Sequence, residues 1–152
     1  MIDKLTIEMT VIIVVVIVIP IIIYFVKKWM DEKRLKEGRE ILTNNDVMEE
    51  TFHPKNPPKV GETRIVLSPP EMSDIIYTIK SAIHTFAADD VATILIQVRR
   101  ISTKYEWGNT INTLASAYGV NIIDVLNKNL TQKQKVNFAK WQENLPTYKK
   151  IK

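Results

Sequence analysis

Cysteine is absent from this chain of 152 residues, and histidine and glycine are scarce. Without cysteine there is no disulfide framework, no thiolate metal site and no cysteine nucleophile. The two histidines, His53 and His84, lie far apart in the sequence and do not indicate a zinc site. The sequence also lacks a phosphate-binding glycine loop and a nucleophile elbow. We therefore expect a protein without metal or cofactor that is not an enzyme.

One uncharged apolar block stands near the start of the chain, where residues 9–26 read MTVIIVVVIVIPIIIYFV. A helix of this length rises about 27 Å, which is close to the thickness of a bilayer's hydrocarbon core. A soluble β-strand is usually much shorter than this block. The pattern predicts a transmembrane helix over residues 9–26, with residues 1–8 as a short N-terminal tail.

Aromatic and basic residues at the end of this block are typical of a membrane interface, and they are Tyr24, Phe25, Lys27, Lys28 and Trp29. No small-residue cleavage site follows, so we expect an uncleaved anchor with the lipid bilayer as its partner. Basic residues are more numerous after the block than before it. The positive-inside rule therefore places the C-terminal domain in the cytoplasm of a single-pass membrane protein, or inside a virion.

Helix-start signals dominate the rest of the chain. Residues 27–42 are expected to form a charged juxtamembrane helix, and prolines predict an extended linker over residues 43–67. Capping patterns follow at Ser68-Pro-Pro-Glu71, Asp89-Asp90, Thr103-Lys-Tyr-Glu106, Asn121-Ile-Ile-Asp124 and Thr131-Gln-Lys-Gln134. Apolar residues recur at helical spacing after each of them. The predicted fold class is all-α: one N-terminal transmembrane helix plus a small orthogonal five-helix bundle over residues 68–148, with a basic tail at 149–152.

The stretch from Asp90 to Trp107, followed by Tyr118-Gly119, Val125-Leu126 and Leu130-Thr131, resembles annexin-like helical repeats. Similar modules occur in small proteins of phages that infect Bacteroidetes, including crAss-like phages. The match covers roughly residues 71–148. Residues 86–90 read FAADD and lack the glycines of annexin calcium loops, so calcium binding is not implied. The resemblance implies a phage structural or envelope-associated protein.

A local resemblance concerns Gly108 to Asn129, which is similar to the central part of a LysM peptidoglycan-binding module. The LysM fold needs a strand on each side, and the downstream residues 131–140 have a helical pattern instead. The spacing from Leu114 to Val125 also fits a helix-turn-helix motif. However, Ile122 and Ile123 stand where polar groups should face base edges.

Basic residues in the second half of the chain form a candidate patch for anionic lipid or nucleic acid: Arg99, Arg100, Lys104, Lys128, Lys133, Lys135, Lys140, Lys149 and Lys150. Solvated helix faces and a loose tail explain the same residues without a ligand. The function we expect first is a membrane-anchored structural or interaction protein whose helical domain docks on a protein partner or self-associates. The alternatives are a membrane-tethered peptidoglycan binder and a membrane-linked DNA contact.

Overall fold

A computed structural model describes residues 14–43, 49–50, 53, 55–84 and 88–151. The chain divides into two compact units, Met1–Glu37 and Gly38–Lys152. A π-helical turn, Val14–Val18, precedes the first α-helix. The elements that follow are α1 (Ile19–Leu42), β1 (Glu62–Thr63), α2 (Pro69–Ala82), α3 (Val91–Val98), α4 (Lys104–Tyr118), α5 (Ile122–Asn129), α6 (Gln132–Asn144) and β2 (Lys149–Lys150).

The first unit contributes the apolar start of α1 and its charged middle. Every described side chain from Val15 to Glu37 is exposed. Within the described residues, no helix combines the length and the apolar character that crossing a bilayer would require. The predicted transmembrane helix is therefore wrong. The physical reason is that the apolar part of α1 ends at Val26, and charged residues from Lys27 onward fill the rest of the helix. Residues 1–13 lie outside the described part.

The five helices from α2 to α6 start at the predicted capping residues. The Thr103 hydroxyl accepts a hydrogen bond from Glu106 N (3.2 Å), and Asn121 Oδ1 accepts one from Ile123 N (3.1 Å). Asp90 caps α3, and Thr131 with Gln134 forms a capping box on α6. Each cap satisfies backbone N–H groups that have no partner within the helix. The prediction that Asp90 and Thr131 cap helices is thus confirmed, because each side chain accepts a hydrogen bond from a backbone N–H of the first helical turn.

The core of the second unit consists of apolar side chains from all six helices around the fully buried Trp107, and α6 contributes the aromatic Phe138. Burial of each large apolar side chain contributes about 1.5–3 kcal/mol. The last turn of α1 belongs to this core, because Leu42 is fully buried and Gly38 is also buried. A Cβ atom at Gly38 would collide with Asn127 Oδ1 and Lys135 Nζ, so glycine allows α5 and α6 to approach α1 closely. The compact unit therefore begins at Gly38, well before the predicted domain start at Ser68.

Residues 61–67, which we call the strap, lie within the region predicted as an extended linker, and they are held against the second unit. Strand β1 pairs with β2 in an antiparallel ladder, with Glu62 opposite Lys150 and Thr63 opposite Lys149. The Thr103 hydroxyl donates a hydrogen bond to the Arg64 carbonyl oxygen (2.6 Å). This two-stranded ladder adds a small β element to the helical second unit, and Lys149–Lys150 of the predicted basic tail form its second strand.

Candidate functional site

A groove between α3 and α6, which we call the Trp141 groove, has a volume of about 320 Å³. Its lining residues are Leu95, Val98, Arg99, Leu130, Gln134, Asn137, Phe138 and Trp141. The four residues from α6 stand at offsets of three, four and seven, so they share one face of that helix. Leu95 and Val98 occupy the facing side of α3 by the same spacing. The helical periodicity of both segments thus produces an apolar groove with polar edges.

Two of the residues that line the Trp141 groove, Phe138 and Trp141, belong to a cluster of three packed aromatic side chains. The ring of Trp141 meets those of Trp107 and Phe138 at centroid distances of 5.6 and 5.1 Å, and Trp107 meets Phe138 at 5.7 Å. These separations suit edge-to-face packing, which favours aromatic pairs beyond their simple burial. Trp107 and Phe138 are buried, whereas Trp141 is only half-buried. One face of the cluster is therefore presented to solvent on a fixed support.

The buried side of the aromatic cluster is tied to the end of α1. In the amide orientation that satisfies both neighbours, Gln142 accepts a hydrogen bond from Trp107 Nε1 (2.9 Å) and donates one to the Leu42 carbonyl oxygen (3.2 Å). The Gln142 side chain is 2% exposed. A buried indole N–H requires such an acceptor, because leaving it unsatisfied costs about 1–3 kcal/mol. The last turn of α1 thereby helps to position the groove floor.

One exposed cation lines the Trp141 groove, and two more lie on the helix that forms one of its sides. Arg99 lies at the C-terminal cap of α3 and lines the groove directly. Lys133 and Lys140 are exposed on α6, seven residues apart and therefore two turns apart on one face, with the lining residue Asn137 between them. All three cations are exposed. The groove therefore joins an apolar floor to a positively charged edge.

The other residues of the predicted basic patch are placed differently. Lys135 is 1% exposed, and Lys104 is buried and forms an ion pair with Glu50. Arg100 pairs with Asp74 through a 2.8 Å contact. Lys128 on α5 and the strand residues Lys149 and Lys150 are exposed. Burial thus limits the access of a ligand to Lys104 and Lys135, whereas Arg100 takes part in an exposed ion pair.

The predicted membrane-interface residues all lie exposed on α1. Tyr24 and Phe25 contact each other edge to face at 5.7 Å, and the ammonium group of Lys33 lies 5.6 Å from the ring centroid of Trp29. Lys27 and Lys28 follow this aromatic pair after the single residue Val26. These side chains form a continuous aromatic and basic segment at the end of the exposed apolar block.

A second groove, which we call the strap groove, lies between the strap, α2 and α4 and measures about 360 Å³. Its lining residues are Ile65, Leu67, Pro69, Met72, Ser73, Ile76, Tyr105, Glu106, Asn109, Thr113 and Tyr118. Glu106 is the only charged residue among them, and its carboxylate is occupied. Glu106 Oε1 accepts hydrogen bonds from Val66 N and Leu67 N, both at 2.6 Å, and Oε2 accepts one from Ser102 N at 2.9 Å.

A polar contact set near the C-terminal end joins Glu50, Lys104 and Thr147. Glu50 Oε2 accepts a hydrogen bond from Lys104 Nζ, and Glu50 Oε1 accepts one from the Thr147 hydroxyl at 3.0 Å. The hydrogen bond from Lys104 is the largest effect on Glu50 and, against the opposing effect of burial, holds the pKa of its carboxyl below the ordinary value of 4.5. These contacts hold Glu50, a residue of the predicted linker, against the domain.

Across residues 14–43, 55–84, 88–151 and the isolated positions between them, no three His, Asp or Glu side chains lie close enough together to hold a metal ion. Both carboxylate oxygens of Asp89 accept hydrogen bonds from other residues of the domain: one from His84 N (3.0 Å) and the other from Asn129 Nδ2 (2.8 Å). What this arrangement supplies is apolar contact, fixed aromatic surface and cationic edges.

Comparison with known proteins returns no match to a protein family, to a curated protein or to a solved structure. The annexin-like resemblance therefore stays a prediction. For the LysM resemblance, the structure places residues 132–144 in helix α6, where the module would need a strand. Ile122 and Ile123, the start of the second helix in a helix-turn-helix reading, are buried.

Two functional features lay outside the sequence predictions. The helical spacing of apolar residues in the last helix predicted Trp141 as a core residue, and Glu106 was predicted only as the last residue of a capping box. A half-buried tryptophan and a fully buried one have the same helical spacing, so the sequence does not separate Trp141 from Trp107. Nothing in the sequence marks Glu106 as the acceptor for a segment about forty residues away.

Proposed function

We propose that the second unit is an interaction domain that binds a protein partner through the Trp141 groove. The observation that supports this proposal is the half-exposed Trp141 on a rigid aromatic floor beside an exposed arginine. Tryptophan and arginine are enriched among the residues that contribute most to protein–protein binding. Such residues are most effective when the free protein already holds them in position, because less side-chain entropy is lost on binding.

The shape and chemistry of the groove also favour docking over catalysis. Its volume is at the lower end of the range of about 300–1,000 Å³ that is typical of small-molecule sites. It is open along the α3–α6 line, so it suits side chains inserted from a partner's helix or extended segment. The annexin-like resemblance agrees with a structural role of this kind in a phage particle or host envelope.

A peptide-display selection on the full-length chain tests the proposal. An unbiased library is selected on the wild-type protein, and the enriched peptides are measured against three variants. Trp141→Ala removes the exposed floor, and Asn137→Asp changes an exposed lining residue without touching the core. Tyr77→Ala is the matched control, because Tyr77 is 64% exposed on α2 and lines neither groove.

The proposal predicts enriched peptides that lose at least about tenfold in affinity with Trp141→Ala, which corresponds to about 1.4 kcal/mol. They should weaken measurably with Asn137→Asp and bind Tyr77→Ala like the wild type. Circular dichroism and thermal melting identify any variant that fails to fold. Enriched peptides that bind all three variants equally would place docking elsewhere and contradict the proposal.

We also propose that the protein associates with a lipid surface through the exposed apolar part of α1, without a spanning helix. This proposal rests on the contiguous exposed side chains from Val15 to Val26, followed by Lys27 and Lys28. Exposed apolar surface of this extent usually marks a membrane or protein interaction, and nearby lysines favour anionic lipid.

Vesicle flotation tests the lipid proposal. Full-length protein should float with phosphatidylserine-containing vesicles, and the double variant Ile22→Asp/Ile23→Asp should remain at the bottom of the gradient. The matched control is Val60→Asp, an exposed apolar residue of the second unit. Equal flotation of the double variant and the wild type would contradict a role for this segment.

A further inference from the structure

The charge around the Trp141 groove identifies the kind of segment that fits it, an inference that rests on the proposed docking function. We infer that the occupant is an acidic amphipathic peptide segment of a partner protein. Its apolar side chains would enter the groove over Trp141, and its carboxylates would face Arg99, Lys133 and Lys140.

The charged residues on and beside the two helices that form the groove are mainly basic. Helix α3 reads VATILIQV and contains no charged residue, and Arg99 and Arg100 follow it at once. Helix α6 reads QKQKVNFAKWQEN and has three lysines against one acid, Glu143, which lies in its last turn. Because Arg100 is paired with Asp74 and Lys135 is buried, the exposed positive edge consists of Arg99, Lys133 and Lys140.

The positions of these cations match a short peptide. Lys133 and Lys140 are separated by seven residues of helix, which is about 10 Å along the axis of α6. Arg99 belongs to the lining at the α3 side. A peptide of three helical turns could therefore place one carboxylate at each cation while its apolar face covers Leu95 and Trp141. This is the helix-in-groove mode of recognition with added charge complementarity.

A nucleic acid fits the same surface less well. Single-stranded nucleic acid binds through successive exposed aromatic faces along a continuous cationic track. Here Phe138 is 7% exposed and Trp107 is fully buried, so Trp141 alone remains for stacking. The floor is otherwise aliphatic, with Leu95, Val98 and Leu130. These residues favour leucine-like or phenylalanine-like anchors over bases.

Fluorescence polarisation with designed peptides tests this inference on the full-length protein. The probe is a labelled 12-residue amphipathic peptide with Leu and Phe anchors at helical spacing and three Glu residues at its edges. A second peptide carries Gln in place of each Glu. Arg99→Glu alters a lining cation, and Lys140→Glu alters an exposed cation on α6, the helix that supplies half of the lining residues. Lys128→Glu is the matched control, since Lys128 is equally exposed but lies on α5, whose residues 122–129 do not line the groove.

We expect the Glu peptide to bind about tenfold or more tightly than the Gln peptide, because each exposed pair changes affinity by up to about fivefold. Each reversed cation should weaken the Glu peptide several-fold, the control should not, and the difference between the peptides should shrink at high salt. Together these results would support the inference.

The other outcomes separate this inference from the docking function. Equal binding of the Glu and Gln peptides would overturn the acidic preference and leave the docking proposal intact. Failure of both peptides, while peptides selected by display still require Trp141, would likewise overturn the ligand class alone. Tighter binding of a 12-nucleotide oligothymidine, or of phosphatidylserine vesicles, that is lost with Arg99→Glu would assign the groove to that ligand and overturn the inference.

Discussion

Replacing Glu106 by glutamine tests how the strap is held, because the two side chains have nearly the same shape. In the wild type, the Glu106 carboxylate accepts three backbone hydrogen bonds, two from the strap residues Val66 and Leu67 and one from Ser102. Hydrogen bonds to charged groups contribute about 1.5–3 kcal/mol each, and neutral ones about 0.5–1.5 kcal/mol. In the variant, the glutamine amide oxygen can still accept the two hydrogen bonds from the strap, but these bonds are weaker because the acceptor is neutral. The amide NH2 group then faces the backbone N–H of Ser102, and two donors cannot form a hydrogen bond.

The expected net decrease in the free energy of unfolding is about 2 kcal/mol, which is smaller than the sum of the separate hydrogen-bond losses. Val66 is exposed and Leu67 and Ser102 are half-buried, so water can reach part of the released N–H groups. Removing a charge from a position that is 1% exposed also recovers some desolvation energy. For a chain of this length, 2 kcal/mol lowers the melting temperature by about 4–8 °C.

Thermal melting followed by circular dichroism measures the loss, and amide hydrogen exchange locates it. Exchange at Val66 and Leu67 should accelerate, whereas the amides of α6 should change only as far as global stability changes. Glu71→Gln is the matched control, since Glu71 accepts comparable hydrogen bonds from Ser68 at an exposed helix start. A Glu106→Gln protein that melts like the wild type, with unchanged exchange in the strap, would show that the Glu106 carboxylate does not hold the strap.

Three further predictions concern stability. Gly38→Ala should destabilise the domain by about 1 kcal/mol in urea unfolding, because the clash with Lys135 outweighs the roughly 1 kcal/mol that alanine normally adds in a helix; a more stable variant would contradict this. Gly119→Ala should cost about 1 kcal/mol because residue 119 has a φ of +65°, and Gly119→Asn should cost less; equal losses would argue against backbone strain. The lowered pKa of Glu50 means that its contribution is complete above pH 4.5 and is lost as the pH falls through the folded-state pKa. Urea unfolding from pH 7 to pH 3 should therefore show a smaller acid loss in Glu50→Gln than in the wild type, and identical profiles would exclude this contribution.

The positions of helices α2 to α6 were predictable because their starts are encoded locally. Thr131 and Gln134 bond to each other's backbone within one turn, and Asp90 accepts a bond from Thr93 N three residues away. Such interactions need no distant partner. The end of α4 was equally local, since Gly119 adopts the left-handed conformation that ends a helix.

The transmembrane prediction failed because hydropathy was read without the helix boundaries. The apolar block and the charged stem share the continuous helix α1, so charge enters the helix directly after Val26. The burial of the end of α1 was not predictable for a related reason. The end of α1 has a charged, solvated pattern, and only the contact of Gly38 and Leu42 with other helices places it in the core.

The candidate groove was predictable only in part. Arg99 and Lys140 were included in the basic patch, but so were Lys104 and Lys135, which burial removes. The residues next to a lysine in the sequence do not show whether another helix packs against that lysine and buries it. The half-exposed state of Trp141 likewise depends on where α3 ends relative to α6.

For this protein, the amino-acid sequence by itself determined the helix starts, the left-handed helix end at Gly119 and the uneven distribution of apolar residues, because each depends on groups within about one helical turn or on composition. Only the tertiary structure decided which cations reach solvent, where the compact unit begins and how Glu106 holds the strap. Those properties arise from burial and hydrogen bonds between segments that are distant in the chain, and local spacing carries no information about such contacts.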